Sequence, residues 1–112
     1  MVKLEVQNAL FILNLTRVRI LEQYNDMPEL SRFLGIVVYM LFNEHNPPHF
    51  HVEYGEYKAS ITINELALVK GDLPSRIHGY VIEWASMHKQ ELIDNWNMVQ
   101  KTGKFFKIDP LV

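Results

Sequence analysis

The stretch from His49 to Ile63 constrains the fold of this chain more than any other part of it. A two-residue turn at Gly55-Glu56, with glycine first as a type II′ turn prefers, sets Tyr54 opposite Tyr57 and Glu53 opposite Lys58. Val52 then meets Ala59, His51 meets Ser60, Phe50 meets Ile61 and His49 meets Thr62. One face of the hairpin becomes wholly apolar: Phe50, Val52, Tyr54, Tyr57, Ala59, Ile61 and Ile63. The other carries only His49, His51, Glu53, Lys58, Ser60 and Thr62. A slip of one residue would destroy this segregation. The Glu53–Lys58 pair adds a favourable cross-strand contact of ~0.2–1 kcal/mol.

The flanking segments extend the pattern. Gly35–Phe42 (GIVVYMLF) is an unbroken apolar run of strand length, rich in strand formers, and reads as a central strand covered on both faces. Asn43–Pro48 is a turn, because Pro47 and Pro48 can neither donate to a ladder nor continue a helix. Gly71-Asp72-Leu73-Pro74 signals a helix start, with Asp72 as cap. The helix is expected to run over 73–100 and to be closed by Gly103. Ile77, Val81, Trp84, Ala85, Leu92, Trp96 and Val99 fall on one stripe of it. Gly79 inside that helix costs about 1 kcal/mol relative to alanine, so close packing or other contacts are expected to offset it. A short strand over Phe105–Ile108 follows. The fold class is therefore α+β: an antiparallel β-meander (35–42, 49–54, 57–63) packed against one long C-terminal α-helix.

The first 26 residues are less readable. Val2, Leu4 and Val6 alternate with Lys3 and Glu5 like a strand, and Ala9–Leu21 suits a strand pair or a short helix. Met27-Pro28 opens a segment of different character, so residues 1–26 read either as an integral part or as an N-terminal extension of a domain spanning 27–112. No apolar run approaches the ~20 residues of a membrane span. Glu5 and the lack of a small-residue cleavage site argue against a signal peptide, which makes the cytoplasm the default location.

The chain has no cysteine, which excludes disulfides, thiolate nucleophiles and cysteine-ligated metals. Eleven Lys+Arg against 13 Asp+Glu give a net charge of −2, so nucleic acid would have to be recognised by a local site and not by an overall basic field. Chemistry then falls to the five histidines. His49 and His51, two apart on a strand, point the same way, with Glu53 next and His45 on the adjoining turn. Three readings are open. The imidazoles can simply hydrogen-bond along a polar strand face. They can form a general acid/base cluster, as metal-independent RNA cleavage by the 2′-hydroxyl requires, with a cation for the phosphorane-like charge. Or His49, His51 and either His45 or Glu53 can bind a metal. The acid/base reading needs no metal or other cofactor, and none is expected. Arg32 reads as a surface charge or as a phosphate or carboxylate clamp. His88 reads as a core histidine bonded to Asn95 or Glu91, or as an assisting group at a cleft edge. His78 lies off the stripe and is expected to be solvated. Lys101, Lys104 and Lys107 form a small basic tail.

MPELSRFLGIVVYMLFNEHNPPHFHVEYGEYKASI, then GDLPSR, EWASMHKQELIDNW and the closing Ile108-Asp109-Pro110-Leu111, resemble the bacterial domain-of-unknown-function family numbered 4160. The resemblance covers Met27–Leu111 and rests above all on HNPPHFHVEYG. It implies a small α+β protein in the toxin position of a toxin–antitoxin-like gene pair, with a cognate antitoxin-like small protein as partner. The family's histidine motif falls on His45, His49 and His51, its SRF segment on Ser31, Arg32 and Phe33, and its helix histidine on His88. The resulting expectation is a toxin-like component, a candidate ribonuclease acting on RNA with no membrane involved. The alternative is a non-catalytic interaction or regulatory module.

Overall fold

The computed structural model describes residues 27–112. The expected strand over Val2–Val6 and the segment Ala9–Leu21 lie outside the described residues. Five strands, β1 (Glu29–Phe33), β2 (Ile36–Tyr39), β3 (His49–Tyr54), β4 (Tyr57–Thr62) and β5 (Leu68–Gly71), form one antiparallel sheet in sequential order. Two helices follow, α1 (Ser75–Met87) and α2 (Lys89–Thr102). The α+β class and the meander are as expected. The β3–β4 register matches the sequence reading at every pair from His49↔Thr62 to Tyr54↔Tyr57. Gly55 takes φ +58° while Glu56 keeps a negative φ, as the II′ turn requires.

Several expectations are corrected. The single long helix is two, because His88 adopts φ −126° and ψ 25° between them. The apolar stripe nevertheless survives: Ile77, Val81, Trp84, Ala85, Leu92, Trp96 and Val99 are all buried. The first helix starts at Ser75 with Pro74 at its N-cap, while the Asp72 carboxylate accepts a bond from the Leu73 amide instead of capping the helix. Gly103 closes α2 in the left-handed conformation, as expected. The apolar run 35–42 splits: its strand is confined to Ile36–Tyr39. Ile36 and Val38 face the core, whereas Val37 and Tyr39 share the face of Glu53 and His51. Gly79 has open space where a Cβ would sit, so no close packing offsets its helix penalty.

Two strands were missed. β1 pairs with β2 across a two-residue turn in which Leu34 and Gly35 both take positive φ. A bulge at Leu30 shifts its register, so Glu29 and Arg32 emerge on the same face and bond to each other. β5 pairs with β4 through a second irregularity at Val69. Gly71, at φ +83°, lies so close to β4 that an added Cβ would stand 2.0 Å from the Lys58 carbonyl oxygen.

The expected strand over 105–108 is instead a strap. Asn95, fully buried on α2, receives the Phe106 amide on Oδ1 (2.9 Å) and donates Nδ2 to the Phe106 carbonyl (3.0 Å). The Ile108 amide then bonds the Leu30 carbonyl (2.8 Å), and the Trp84 indole donates to the Asp109 carbonyl (2.8 Å). The strap thus ties both helices to β1. The core lies between the sheet's apolar face and the helices, with the Trp84 ring against Phe33 and Phe50.

Candidate functional site

Residues opposite one another on neighbouring strands point to the same face. One row therefore crosses all five strands on the face away from the core: Glu29, Tyr39, His51, Ser60 and Lys70. The next row holds Arg32, Val37, Glu53 and Lys58. His49 and Thr62 stand at the other side of the His51 row, beside the Asn43–Pro48 turn.

That turn brings in a residue the sequence reading did not single out. The Glu44 carboxylate places Oε1 2.7 Å from His51 Nε2 and 3.0 Å from His49 Nε2. The turn is held there because Gln100 of α2 accepts from the Glu44 amide (2.8 Å) and donates to the Leu41 carbonyl (2.8 Å). Both imidazoles have a second partner. His49 Nδ1 donates to the Pro47 carbonyl (2.8 Å), and His51 Nδ1 meets Ser60 Oγ (3.2 Å). Packing fixes their rings: Tyr39 stacks on His51 at 5.3 Å between centroids, and Trp96 lies against His49 at 5.1 Å. The three side chains are each only about a fifth exposed: 16% for His49, 15% for His51 and 23% for Glu44.

The cluster lines an open cavity of about 250 Å³, together with His45, Asn46, Ser60, Val69 and Lys70. A second cavity of about 260 Å³ adjoins it over His51, Ser60 and Lys70 and extends to Tyr39 and Lys58. The Tyr39 hydroxyl donates to Glu53 (3.0 Å). Burial, then that hydrogen bond and the Glu53 and Glu44 charges, push its phenol up to about 12. Tyr39 therefore stays a neutral donor across the physiological range.

The structure brings His49 and His51 together, sets His45 on the same cavity, and leaves Arg32 and His88 apart from them. His45 is exposed at the cavity rim. Arg32 is on the same face but two strands and one row from His51, about 12 Å by strand spacing and rise. Its guanidinium is engaged by Glu29 through Nε (3.2 Å) and Nη2 (2.8 Å), which lowers the Glu29 carboxyl pKa below its ordinary value. Lys107 also reaches Glu29 (3.6 Å), so part of the basic tail serves β1. His88 pairs with Glu91 and packs on Trp84 at the helix junction, with Asn95 bonded to the strap instead. His78 corrects its expectation: it is half-buried, and its Nε2 has no hydrogen-bond partner among the described residues. Lys70 is the cation at the site that sequence reasoning missed, because β5 shows no strand periodicity.

Chemically, two imidazoles and a carboxylate at an open cavity can move protons, orient an anion beside Lys70, or share a cation. Glu44, His49 and His51 form the group of described residues whose donor atoms, all within 4.8 Å of one another, could hold a metal ion. Among the described residues no helix is long and apolar enough to cross a membrane.

No curated protein and no solved structure shows a significant match to the chain. The model of one family, described as a domain of unknown function (DUF4160), matches residues 35–97. That match contains the whole Glu44–His49–His51 cluster, Lys70 and most of both helices, and leaves Arg32 outside. It covers more than half of the chain, which therefore belongs to the DUF4160 family.

Proposed function

We propose that the protein is a toxin-like component of a bacterial two-protein module, acting on RNA at the Glu44–His49–His51 centre and restrained by a small cognate partner protein. Residues 27–112 are its working domain and residues 1–26 an extension. The observation that carries this reading is the convergence of two fixed imidazoles and a carboxylate in an open cavity beside Lys70. RNA supplies its own nucleophile. The 2′-hydroxyl oxygen bonds to phosphorus and releases its proton to the centre; the P–O5′ bond breaks and the 5′-oxygen takes up a proton, leaving a 2′,3′-cyclic phosphate. In this reading Lys70, which lines the cavity, stabilises the charge on the phosphorane.

The test is expression of the full chain without its partner, alongside His49→Ala and His51→Ala. Growth arrest with loss of RNA integrity is expected for the parent chain and not for the variants. Equal growth and intact RNA in all three would refute the reading.

A second reading is favoured by the completeness of the hydrogen bonding, since each ring nitrogen of His49 and His51 already faces a partner. In that reading the cluster is a clasp that fixes the Asn43–Pro48 turn on a non-catalytic interaction module. It predicts that the same variants lose thermal stability while RNA stays intact throughout.

A further inference from the structure

We infer that Glu44, His49 and His51 bind a single divalent transition-metal ion. A carbonyl oxygen only accepts, so the Pro47 carbonyl at 2.8 Å fixes a proton on His49 Nδ1. In the neutral ring, Nε2 then presents its lone pair toward a carboxylate oxygen 3.0 Å away, on which His51 Nε2 also converges. Two electron-rich atoms so placed need a positive charge between them. A second proton on His49 would serve, and so would a metal ion.

The surroundings favour the ion. Two ligands at about 2.1 Å from a metal, set 90–109° apart, stand roughly 3.0–3.4 Å from each other. The observed separations of 2.7 and 3.0 Å reach that spacing with movements of a few tenths of an ångström. Each imidazole also has the outer partner that metal-bound histidines characteristically have: the Pro47 carbonyl behind His49 Nδ1 and the Ser60 hydroxyl behind His51 Nδ1. Trp96 and Tyr39 hold the rings in place, so the ligand set is organised before the ion arrives. Two nitrogens and one carboxylate oxygen suit zinc, iron(II), cobalt(II) or nickel(II) and suit magnesium or calcium poorly. Three protein ligands facing an open cavity leave coordination positions for water, as in catalytic and not in closed structural sites.

The inference goes beyond the RNA reading, stands without it, and replaces the metal-free acid/base pair expected from the sequence. If both hold, Glu44, His49 and His51 would hold the ion, which would supply acid/base chemistry through its bound water.

The test uses the full chain without a polyhistidine tag, stripped with a chelator and titrated with Co²⁺. One equivalent is expected to produce visible d–d absorption and to raise the melting temperature, with Zn²⁺ displacing the colour. Glu44→Gln and His51→Ala are expected to weaken binding by at least the ~10–100-fold that loss of even an outer partner causes; His78→Ala, on α1 and not among the residues lining the cavity, is expected to bind as the parent does. A parent chain showing neither colour nor thermal shift would overturn the inference, whatever the variants do. So would folded Glu44→Gln protein binding Co²⁺ as tightly as the parent. RNA cleavage by metal-loaded protein, or its absence, bears on the preceding reading and leaves the metal site to these measurements.

Discussion

Replacing Gly71 by alanine tests how β5 is brought to the site. The new Cβ would lie 2.0 Å from the Lys58 carbonyl oxygen and 2.9 Å from the Ala59 Cα, both backbone atoms without a side chain's freedom to swing away. A left-handed backbone adds about 1–2 kcal/mol for any residue with a Cβ. Relief of the clash must move β5 off β4, which sacrifices the Asp72 amide bond to Lys58 (3.0 Å) and weakens the Ala59↔Gly71 pairing. At about 0.5–1.5 kcal/mol per hydrogen bond, with the equivalent of two bonds lost, the whole effect comes to roughly 2–5 kcal/mol. For a domain of this size that lowers the melting temperature by on the order of 10–30 °C. Gly79→Ala is the matched comparison. Its Cβ meets nothing within 4 Å and its backbone is helical, so it should stabilise by about 0.5–1 kcal/mol. Differential scanning fluorimetry or calorimetry reads both. A Gly71→Ala protein melting within ~3 °C of the parent would refute the close approach, and with it the placement of Lys70 beside Ser60 and His51.

Two further outcomes concern the strap and the tyrosine. Asn95→Ala removes both bonds to Phe106 and should destabilise by about 1–3 kcal/mol, with faster amide exchange at residues 104–108; unchanged exchange there would show that Asn95 does not hold the strap. For Tyr39 the sign follows from a phenol raised from 10.0 to about 12. Its contribution to stability is complete below pH 10 and is lost as pH rises through about 12. Tyr39→Phe should therefore flatten the fall of stability over that window and remove one phenolate from the absorbance titration; an unchanged alkaline slope would contradict the burial of this hydroxyl.

The β3–β4 hairpin was legible because its alternation runs without interruption on both sides of a glycine turn, so only one register separates apolar from polar. β1 was not legible for two local reasons. Its turn uses Leu34-Gly35 without the asparagine or aspartate that normally announces such a turn, and the Leu30 bulge breaks its alternation. β5 is short, mostly exposed and bulged at Val69, so it leaves no periodic trace. The helix break at His88 is marked by neither glycine nor proline. Its one sequence signal is the gap in the stripe between Ala85 and Leu92, where the sole strongly apolar side chain, Met87, is exposed. At the site, a strand period of two sufficed to put His49 and His51 on one face. Glu44 escaped notice because its position depends on an aperiodic turn held by Gln100 from far along the chain. The Glu29 partner of Arg32 left no trace in the alternation, because it comes within reach only through the bulge.

The strap also sets an order of events during synthesis. The β3–β4 hairpin and β5 are local in sequence and can pair on a nascent chain once it has passed Gly71, whereas the Asn43–Pro48 turn waits for Gln100 of α2. The β1 side cannot be completed until residues 108 and 109 leave the ribosome, because the Leu30 carbonyl and the Trp84 indole have their strap partners there. Any shorter nascent chain exposes the Leu30 edge and an unanchored helix pair, surfaces prone to wrong pairing. The sheet beneath the candidate site is thus made early, while the site and the domain are completed late, an interval in which a chaperone or a co-translated partner has first access to the chain.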